Sequence, residues 1–526
     1  MATTRGESGL RGLIRKLRWI HAAPLLAAIA LGAWAFASPV GAAPDDDYHL
    51  ASTWCALGGS DVCAPGTQES TRQVSTAFRS ARCYALESTE SAACQDDAGL
   101  ALDGATYETT RGNFQGVYPG VYYATMHLFA GDDLEQSALV MRFVNLTLFV
   151  GLATALGALM PASRRQTLLW GWLVSLVPLG LFLIPSNNPS GWAITGVGTA
   201  FLALLGWFET RGKRRWALGA LYVVGIVMAA GARGDAAIYA AGATIIASIL
   251  TVSLRREWLL RAILPLAGLA VIGLLFLTST QAGVGVHGFT SGGTVAVPGV
   301  GAAAAIVEPT GGIALAAYNL LMLPYLWTGV WGTWALGWFD VVLPAIVPWA
   351  AAAAFIVVGF AGFGLLTKRK AVAITGVLAV LVVLPMYVLT AGGDAVGSAV
   401  QPRYLLPVIV LLALLLVTAP PGSRTVRFTR VQTCAILGAL ALANLVALQV
   451  NIRRYVTGTD QQGFNLGAGA EWWWPDLPLG PMAVWLIGAA SFAGLLAVLW
   501  PELARVATAP EVFAAGPRDA VSPEGG

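Results

Sequence analysis

About a dozen stretches of this chain run for close to 20 mainly apolar residues before a charge, proline or glycine closes them, which is the length a helix needs to cross the hydrocarbon of a bilayer. They lie near residues 19–38, 138–160, 166–184, 192–209, 216–232, 236–254, 258–277, 342–366, 371–391, 404–419, 432–450 and 481–500. Composition agrees. The 526 residues are 56% hydrophobic and 11% charged, with mean hydropathy +0.68, whereas an ordinary globular chain is about a quarter charged. The expected fold is therefore an all-α polytopic membrane protein of about 12 transmembrane helices. A net charge of +3 is too small to imply a nucleic-acid partner, and the basic residues are sorted along the chain, not gathered on a binding face.

That sorting sets the sidedness. Arg164 and Arg165, then Arg211, Lys213, Arg214 and Arg215, then Arg255 and Arg256, then Lys368, Arg369 and Lys370, then Arg424, Arg427 and Arg430 fall between alternate pairs of spans. With RGLIRKLR in residues 1–18, all of them come to one side, which the positive-inside rule makes cytoplasmic. Residues 19–38, with the small-residue stretch ASPVGAA after the apolar run, also fit a cleavable secretion signal. The run is long for one and is read as an uncleaved anchor. An even number of spans returns residues 501–526 to the cytoplasm as a Pro- and Ala-rich tail, expected to be disordered.

The outward side carries most of the polar material. Residues 39–137 make a first loop far longer than ordinary connections. Helices 2–7 follow over 138–277, a second outward region over 278–341, and helices 8–12 over 342–500 with an outer loop at 451–480. Stretches such as GVWGTWALGWFD and AEWWWPDLP read as interfacial segments whose aromatics are belt anchors before they are sugar-stacking platforms. Four of the five cysteines, Cys55, Cys63, Cys83 and Cys94, fall in the first loop. An even count in an exported segment argues for disulfides, and the lack of CxxC spacing argues against a metal. Of three pairings, the local one is favoured, Cys55–Cys63 with Cys83–Cys94. Cys434, in an apolar run, is expected to be an inert core thiol.

Chemistry is suggested where PDDDYH (44–49) follows the first span. A carboxylate at the boundary between water and lipid can take the proton of an acceptor hydroxyl, and Asp46 or Asp45 is the candidate base. Three adjacent carboxylates raise one another's pKa unless a cation sits among them, so a divalent ion (Mg, Mn or Ca) held by Asp45 and Asp46 is the other reading. Asp47 and His49 would position the acceptor. The bland reading of this run is a solvated helix cap. Arg142, Arg233 and Arg403 all fall near the outward ends of apolar spans, where a charge costs up to about 2.5–3.5 kcal/mol at mid-membrane and usually has a partner. A phosphate would be such a partner, and snorkelling to lipid headgroups is the alternative. Asn145, Asn187 and Asn188 would add hydrogen bonds to sugar or phosphate.

The segments APDDDYH, YPGVYYATMHLF (118–129), LVMRFVNLTL (139–148), PSNNPSG (185–191), ARGDAAIY (232–239) and QPRYLLPV (401–408) occur in the order seen in a bacterial membrane family. The chain resembles the domain-of-unknown-function 2142 family, with its Pro-Asp-Glu-x-x-His and Pro-Pro-x-Tyr-Tyr runs. Asp46 stands where that family often has Glu, and Gly120 replaces one Pro. The family in turn resembles the GT-C glycosyltransferases, which take a sugar from a polyprenyl phosphate on the outer face of the membrane. The resemblance implies a GT-C-like fold and an inverting transfer from a polyprenyl-phosphate donor to an envelope glycan or lipid acceptor at the bacterial cytoplasmic membrane. It adds Tyr122 and Tyr123 to the substrate-binding set. A transporter or flippase of lipid-linked precursors would also want arginines near a cavity, but no internal repeat is evident. A non-catalytic envelope-assembly partner docking through the disulfide loop is the third reading. No Walker loop or other Gly-rich phosphate cradle points to a nucleotide.

Overall fold

The computed structural model describes residues 19–58, 61–280, 311–398, 400–475 and 477–510. The expectations for residues 1–18, for most of the Gly- and Val-rich stretch before 311, and for the tail beyond 510 lie outside the described residues. Among the described residues, ten helices are long and apolar enough to cross a membrane, and Ile20–Phe36 and Pro402–Val417 are shorter apolar helices. The protein is a multi-pass helical membrane protein.

Two elements differ from the expected spans. The run near 166–184 is two helices, Ala162–Leu176 and Leu179–Leu183, separated at Pro178, which has no N–H to continue the ladder. Conversely, Gly312–Trp331, expected to lie in the interface, passes the length and hydropathy test for a span. Its contacts show how it sits. Asn319 Nδ2 donates to Asp394 O (2.9 Å), beyond one end of helix Lys368–Gly392, whereas Trp327 Nε1 donates to Leu381 O (3.1 Å), near that helix's middle. The chain then turns back, and Trp338 Nε1 donates to Gly41 O (2.8 Å). The segment thus dips part-way into the bundle and returns to the end it came from.

Helix Ser190–Glu209 is the centre of the bundle, buried along its whole apolar window and packed by Gly212–Ala232, Gly234–Thr251 and Pro402–Val417. Glycine makes one of these approaches possible, since a Cβ on Gly196 would stand 2.5 Å from Gly225 O. The first helix packs on the last, Pro481–Leu503, and on Leu134–Leu159, and Trp34 Nε1 donates to Asn444 Oδ1 (3.0 Å). It is an integral member of the bundle.

The two ends of the bundle are unlike. One gathers the basic clusters. Arg164 grips Glu209 with Nε and Nη2 and donates from Nη1 to Ala419 O (2.8 Å), Arg165 pairs with Glu502 (2.9 Å), and Arg369 donates to Val252 O (2.8 Å). Residues 501–510, expected as part of a disordered tail, are ordered here, because Ala507 O and Ala509 O accept from Thr425 N and Gly422 N at 2.9 and 3.0 Å. Cys434 is also unlike its expectation. It is exposed, on the face of helix Arg430–Val456 opposite its buried neighbours Thr433, Ile436 and Leu437.

The other end carries the first loop, which folds on itself. Strands β1 (Cys63–Pro65), β2 (Arg72–Ser75) and β3 (Thr106–Thr109) make a small antiparallel sheet in that order, with Cys63 opposite Val74 and Val74 opposite Tyr107. The periodicity of the apolar spans had not anticipated it. Disulfides join Cys55 to Cys63 and Cys83 to Cys94, the pairing favoured from spacing. Arg454, at the end of helix Arg430–Val456, fastens this loop to the bundle by donating to Tyr84 O (2.8 Å), Glu87 O (2.9 Å) and Asp340 Oδ2 (2.7 Å). Residues 471–474 close the same end, with Trp474 Nε1 on Phe36 O (3.0 Å).

Candidate functional site

PDDDYH forms the start of a short helix, Asp46–Trp54, at the seam between the folded loop and the bundle. Asp45 is its N-cap residue and has a left-handed backbone (φ 63°), a conformation that aspartate tolerates better than most residues. The turn has a consequence for function, because the partners of Asp45 and Asp46 lie in different places.

Asp45 stands at an ion-paired cluster. Its Oδ2 accepts from Arg403 Nη2 and its Oδ1 from Arg111 Nη2 (3.0 Å). Arg403 also donates to Pro44 O (2.9 Å) and Tyr404 OH (3.1 Å). The Arg233 guanidinium lies 4.5 Å from the centre of the Tyr404 ring and 5.5 Å from that of Tyr118, within cation–π range, and is paired with Asp235 (2.9 Å). Arg403 and Arg233 thus approach the same tyrosine. Burial works to raise the Asp45 pKa, but Arg403 and then Arg111 overcome it and hold the carboxyl well below its usual range. The two guanidinium groups keep this carboxylate ionised, and its side chain remains 35% exposed.

Asp46 is enclosed. It is fully buried, its Oδ2 accepts from Ala43 N (3.2 Å), and its Oδ1 has no partner. Burial pushes its pKa up to about 7 against the nearby Arg142 charge and the Ala43 hydrogen bond, with Asp47 and Asp45 adding to the rise. Asp47 is held by Arg111 through both oxygens and by Arg82 (3.0 Å). His49 Nδ1 meets Tyr123 OH at 2.8 Å. Burial lowers the His49 pKa to about 3 in spite of Asp45, so the ring is neutral at ordinary pH.

The other residues singled out from sequence fall into two groups. Arg142 stands apart from Arg233 and Arg403, its guanidinium used on backbone carbonyls: Nη1 donates to Ala35 O (2.8 Å) and Ser38 O (2.6 Å), and Nη2 to Pro39 O (2.7 Å). Asn145 bridges Ser186 O and Trp192 Nε1 (both 2.8 Å), and Tyr122 packs on Trp192 with ring centres 5.3 Å apart. Asn188 donates to Pro44 O (2.8 Å). These four shape the floor under the acidic run. Beside Asn188, Asn187 is buried with neither amide atom paired. Unpaired Gln401 Oε1 and Trp334 Nε1 belong to residues that line a cleft with Pro44 and Arg403. Buried polar groups without partners are uncommon in proteins and accompany ligand or water sites.

The arrangement does not fit a divalent ion between Asp45 and Asp46. Both Asp45 oxygens are on guanidinium groups, Asp46 is enclosed beside Ala43 and Arg142, and among the described residues no three His, Cys, Asp or Glu side chains gather as a metal set.

Arg111, Tyr118 and Tyr404 were missed by sequence reasoning. Arg111 sits in a polar loop where a charge is unremarkable. Tyr118 and Tyr404 stand inside quoted motifs, YPG and QPRY, and the available signal was that Tyr404 directly follows Arg403, whereas nothing beside Tyr118 in the sequence marks it.

The family model described as "Predicted membrane protein (DUF2142)" matches residues 28–412. The chain belongs to that family. All six motifs quoted above lie within the DUF2142 match, whereas Arg454, which fastens the loop to the bundle, and Trp474, bonded to Phe36 O, lie beyond it. Comparisons with curated proteins and with solved structures return no match.

Proposed function

We propose that this DUF2142 protein is a GT-C-like glycosyltransferase that moves a sugar from a polyprenyl-phosphate donor to an envelope glycan or lipid acceptor, on the non-cytoplasmic side of the bacterial cytoplasmic membrane. The observation that carries the reading is the meeting of Arg403 and Arg233 on Tyr404 beside the half-buried carboxylate of Asp45. A base and two cations stand together at the loop end of the bundle, where the basic clusters are absent and the positive-inside rule places the outside.

In this scheme the acceptor hydroxyl attacks the anomeric carbon opposite the phosphate, its proton passes to Asp45, and the bonding pair leaves with the polyprenyl phosphate. Arg403 and Arg233 balance the charge that develops on that phosphate. An incoming phosphate competes with Asp45 for Arg403, and loss of that ion pair makes Asp45 more basic as the donor seats. Asp46, enclosed and bonded only to Ala43 N, gives way to Asp45 as base and acts with Arg142 in positioning the run. Asp47 and Arg111 hold the run from the loop side, and neutral His49, aligned by Tyr123, offers the acceptor a hydrogen bond.

The test is sugar transfer from a synthetic polyprenyl-phosphate sugar by the purified chain in nanodiscs. Asp45→Asn is expected to lower the rate about a hundredfold or more, and Arg403→Lys about tenfold, since an ammonium cannot keep the guanidinium's several directed bonds. Full activity in Asp45→Asn would defeat the assignment of the base. A wild-type chain that carries a lipid-linked sugar across a vesicle without transferring it would establish the transporter reading instead.

A further inference from the structure

The end of the bundle opposite the acidic run contains a cavity of about 360 Å³ between helix ends, lined by Arg164, Glu209, Lys368, Arg369 and Lys370 together with Leu205 and Leu250. Its charges do not cancel. Glu209 is the one carboxylate in the lining, and both its oxygens are taken by Arg164 (2.6 and 2.9 Å). Lys370 is 1% exposed, and its ammonium donates to Leu416 O (2.6 Å) and Gly362 O (3.2 Å), with no carboxylate partner among the described residues. Two carbonyl dipoles offset only part of the cost of removing an ammonium from water, and a buried cation normally has an anion beside it. Lys368 and Arg369, both exposed, stand in the same wall.

We propose that this cavity binds the phosphate of an anionic phospholipid headgroup, with Lys370 as the buried anchor and Lys368 and Arg369 receiving the headgroup at the mouth. A phosphate diester supplies the missing negative charge and several acceptor oxygens. The apolar Leu205 and Leu250 walls and the position at the ends of membrane helices favour a lipid over a free ion, and basic pockets between helices on the cytoplasmic side are suited to such headgroups. Nothing in this inference depends on the activity proposed for the other end.

The experiment uses the full chain in nanodiscs of phosphatidylcholine alone or of phosphatidylcholine and phosphatidylglycerol at four to one, with thermal unfolding and native mass spectrometry as readouts. Wild type is expected to unfold at higher temperature with phosphatidylglycerol and to retain one molecule of it in preference to phosphatidylcholine. The double variant Lys368→Gln with Arg369→Gln, exposed and tolerant, should weaken that retention about tenfold or more, and Lys370→Met should do the same while leaving no buried charge behind. Equal retention of both lipids by wild type, or undiminished phosphatidylglycerol retention in the double variant, would overturn the proposal. Stabilisation by inorganic phosphate in pure phosphatidylcholine, with no response to phosphatidylglycerol, would overturn the assignment to a lipid.

Discussion

The two ends of this bundle both bury arginine, and they do so in opposite ways. At the basic end Arg164 and Glu209 lie 2% and 1% exposed and occupy one another fully, with Ala419 O taking the remaining Nη1. At the loop end the carboxylate and the guanidinium groups come from elements far apart in the chain. Asp45 is 35% exposed between Arg403 and Arg111, and unpaired amide and indole atoms lie nearby in Asn187, Gln401 and Trp334. A closed ion pair holds a fold together. An open one, with surplus donors and aromatic faces, can exchange its partner for a ligand. Buried charge alone therefore does not mark a site, whereas a buried charge paired to a carboxylate that is itself part-solvated is a candidate for one.

The largest effect that tests this contrast is expected from Glu209→Gln. It leaves Arg164 buried without its counter-ion and should cost about 3–5 kcal/mol of stability, seen as poor accumulation and a lowered unfolding temperature with activity per folded molecule kept. Asp45→Asn should lose less stability, because its pair is part-solvated and Arg403 keeps its bonds to Pro44 O and Tyr404 OH, while transfer is lost. Should both variants behave alike, the distinction between a structural and a functional ion pair fails.

A smaller effect separates the loop's fold from its chemistry. Replacing Cys55 and Cys63 by Ser opens a link across a sequence separation of 8, which the chain-entropy account values at about 2–3 kcal/mol. Thermal unfolding of the loop, followed by exchange at strands β1 and β2, should move by that amount. No shift would show that Arg454 and its carbonyl partners hold the loop without the bridge.

The pH dependence of Asp46 is subtler. Its pKa rises from 3.8 to about 7 on folding, so the native state holds the proton more tightly than the unfolded chain. Stability must then decline as pH increases from about 4 to about 7 and level off above that range. Asp46→Asn removes this slope, and at pH 8 the variant should be at least as stable as wild type. Unfolding temperatures at a series of pH values decide it, and identical slopes in the two chains would sink the account.

Sidedness has no energetic size but can be read directly. In a chain with Cys434 changed to Ser, a cysteine at exposed Asp132 should react with an impermeant maleimide added from outside, and one at exposed Lys213 should not. The opposite pattern would move the acidic run to the cytoplasm and end the proposed chemistry.

Eleven of the twelve runs read from hydropathy correspond to apolar helices of the bundle, because length and apolarity are what a membrane helix requires and both are local. The run near 166–184 was misread because a hydropathy window averages over Pro178, where the helix breaks, and the dip of Gly312–Trp331 was not legible. Hydropathy measures how apolar a segment is and does not say whether protein or lipid surrounds it. The disulfide pairing was legible from spacing, since Cys55–Cys63 and Cys83–Cys94 are near neighbours in the chain. Of the three arginines predicted at one depth, Arg233 and Arg403 meet at Tyr404, and Arg142 holds carbonyls that follow the first helix. Depth along a helix can be counted from sequence, but the direction a side chain takes around it depends on neighbours hundreds of residues away.

The sequence by itself determined that this chain crosses a membrane many times, that its basic clusters lie at one end, and that an acidic run follows the first helix beside a cysteine-rich loop, because hydropathy, charge order and cysteine spacing are properties of short stretches. Only the tertiary structure decided which aspartate is open. The left-handed turn at Asp45 and the packing around Ala43 and Arg142 enclose Asp46 and leave Asp45 half-exposed between Arg403 and Arg111. Two adjacent and chemically identical carboxylates acquire different ionisation because burial and counter-charge act through space, and neither is written in the order of residues.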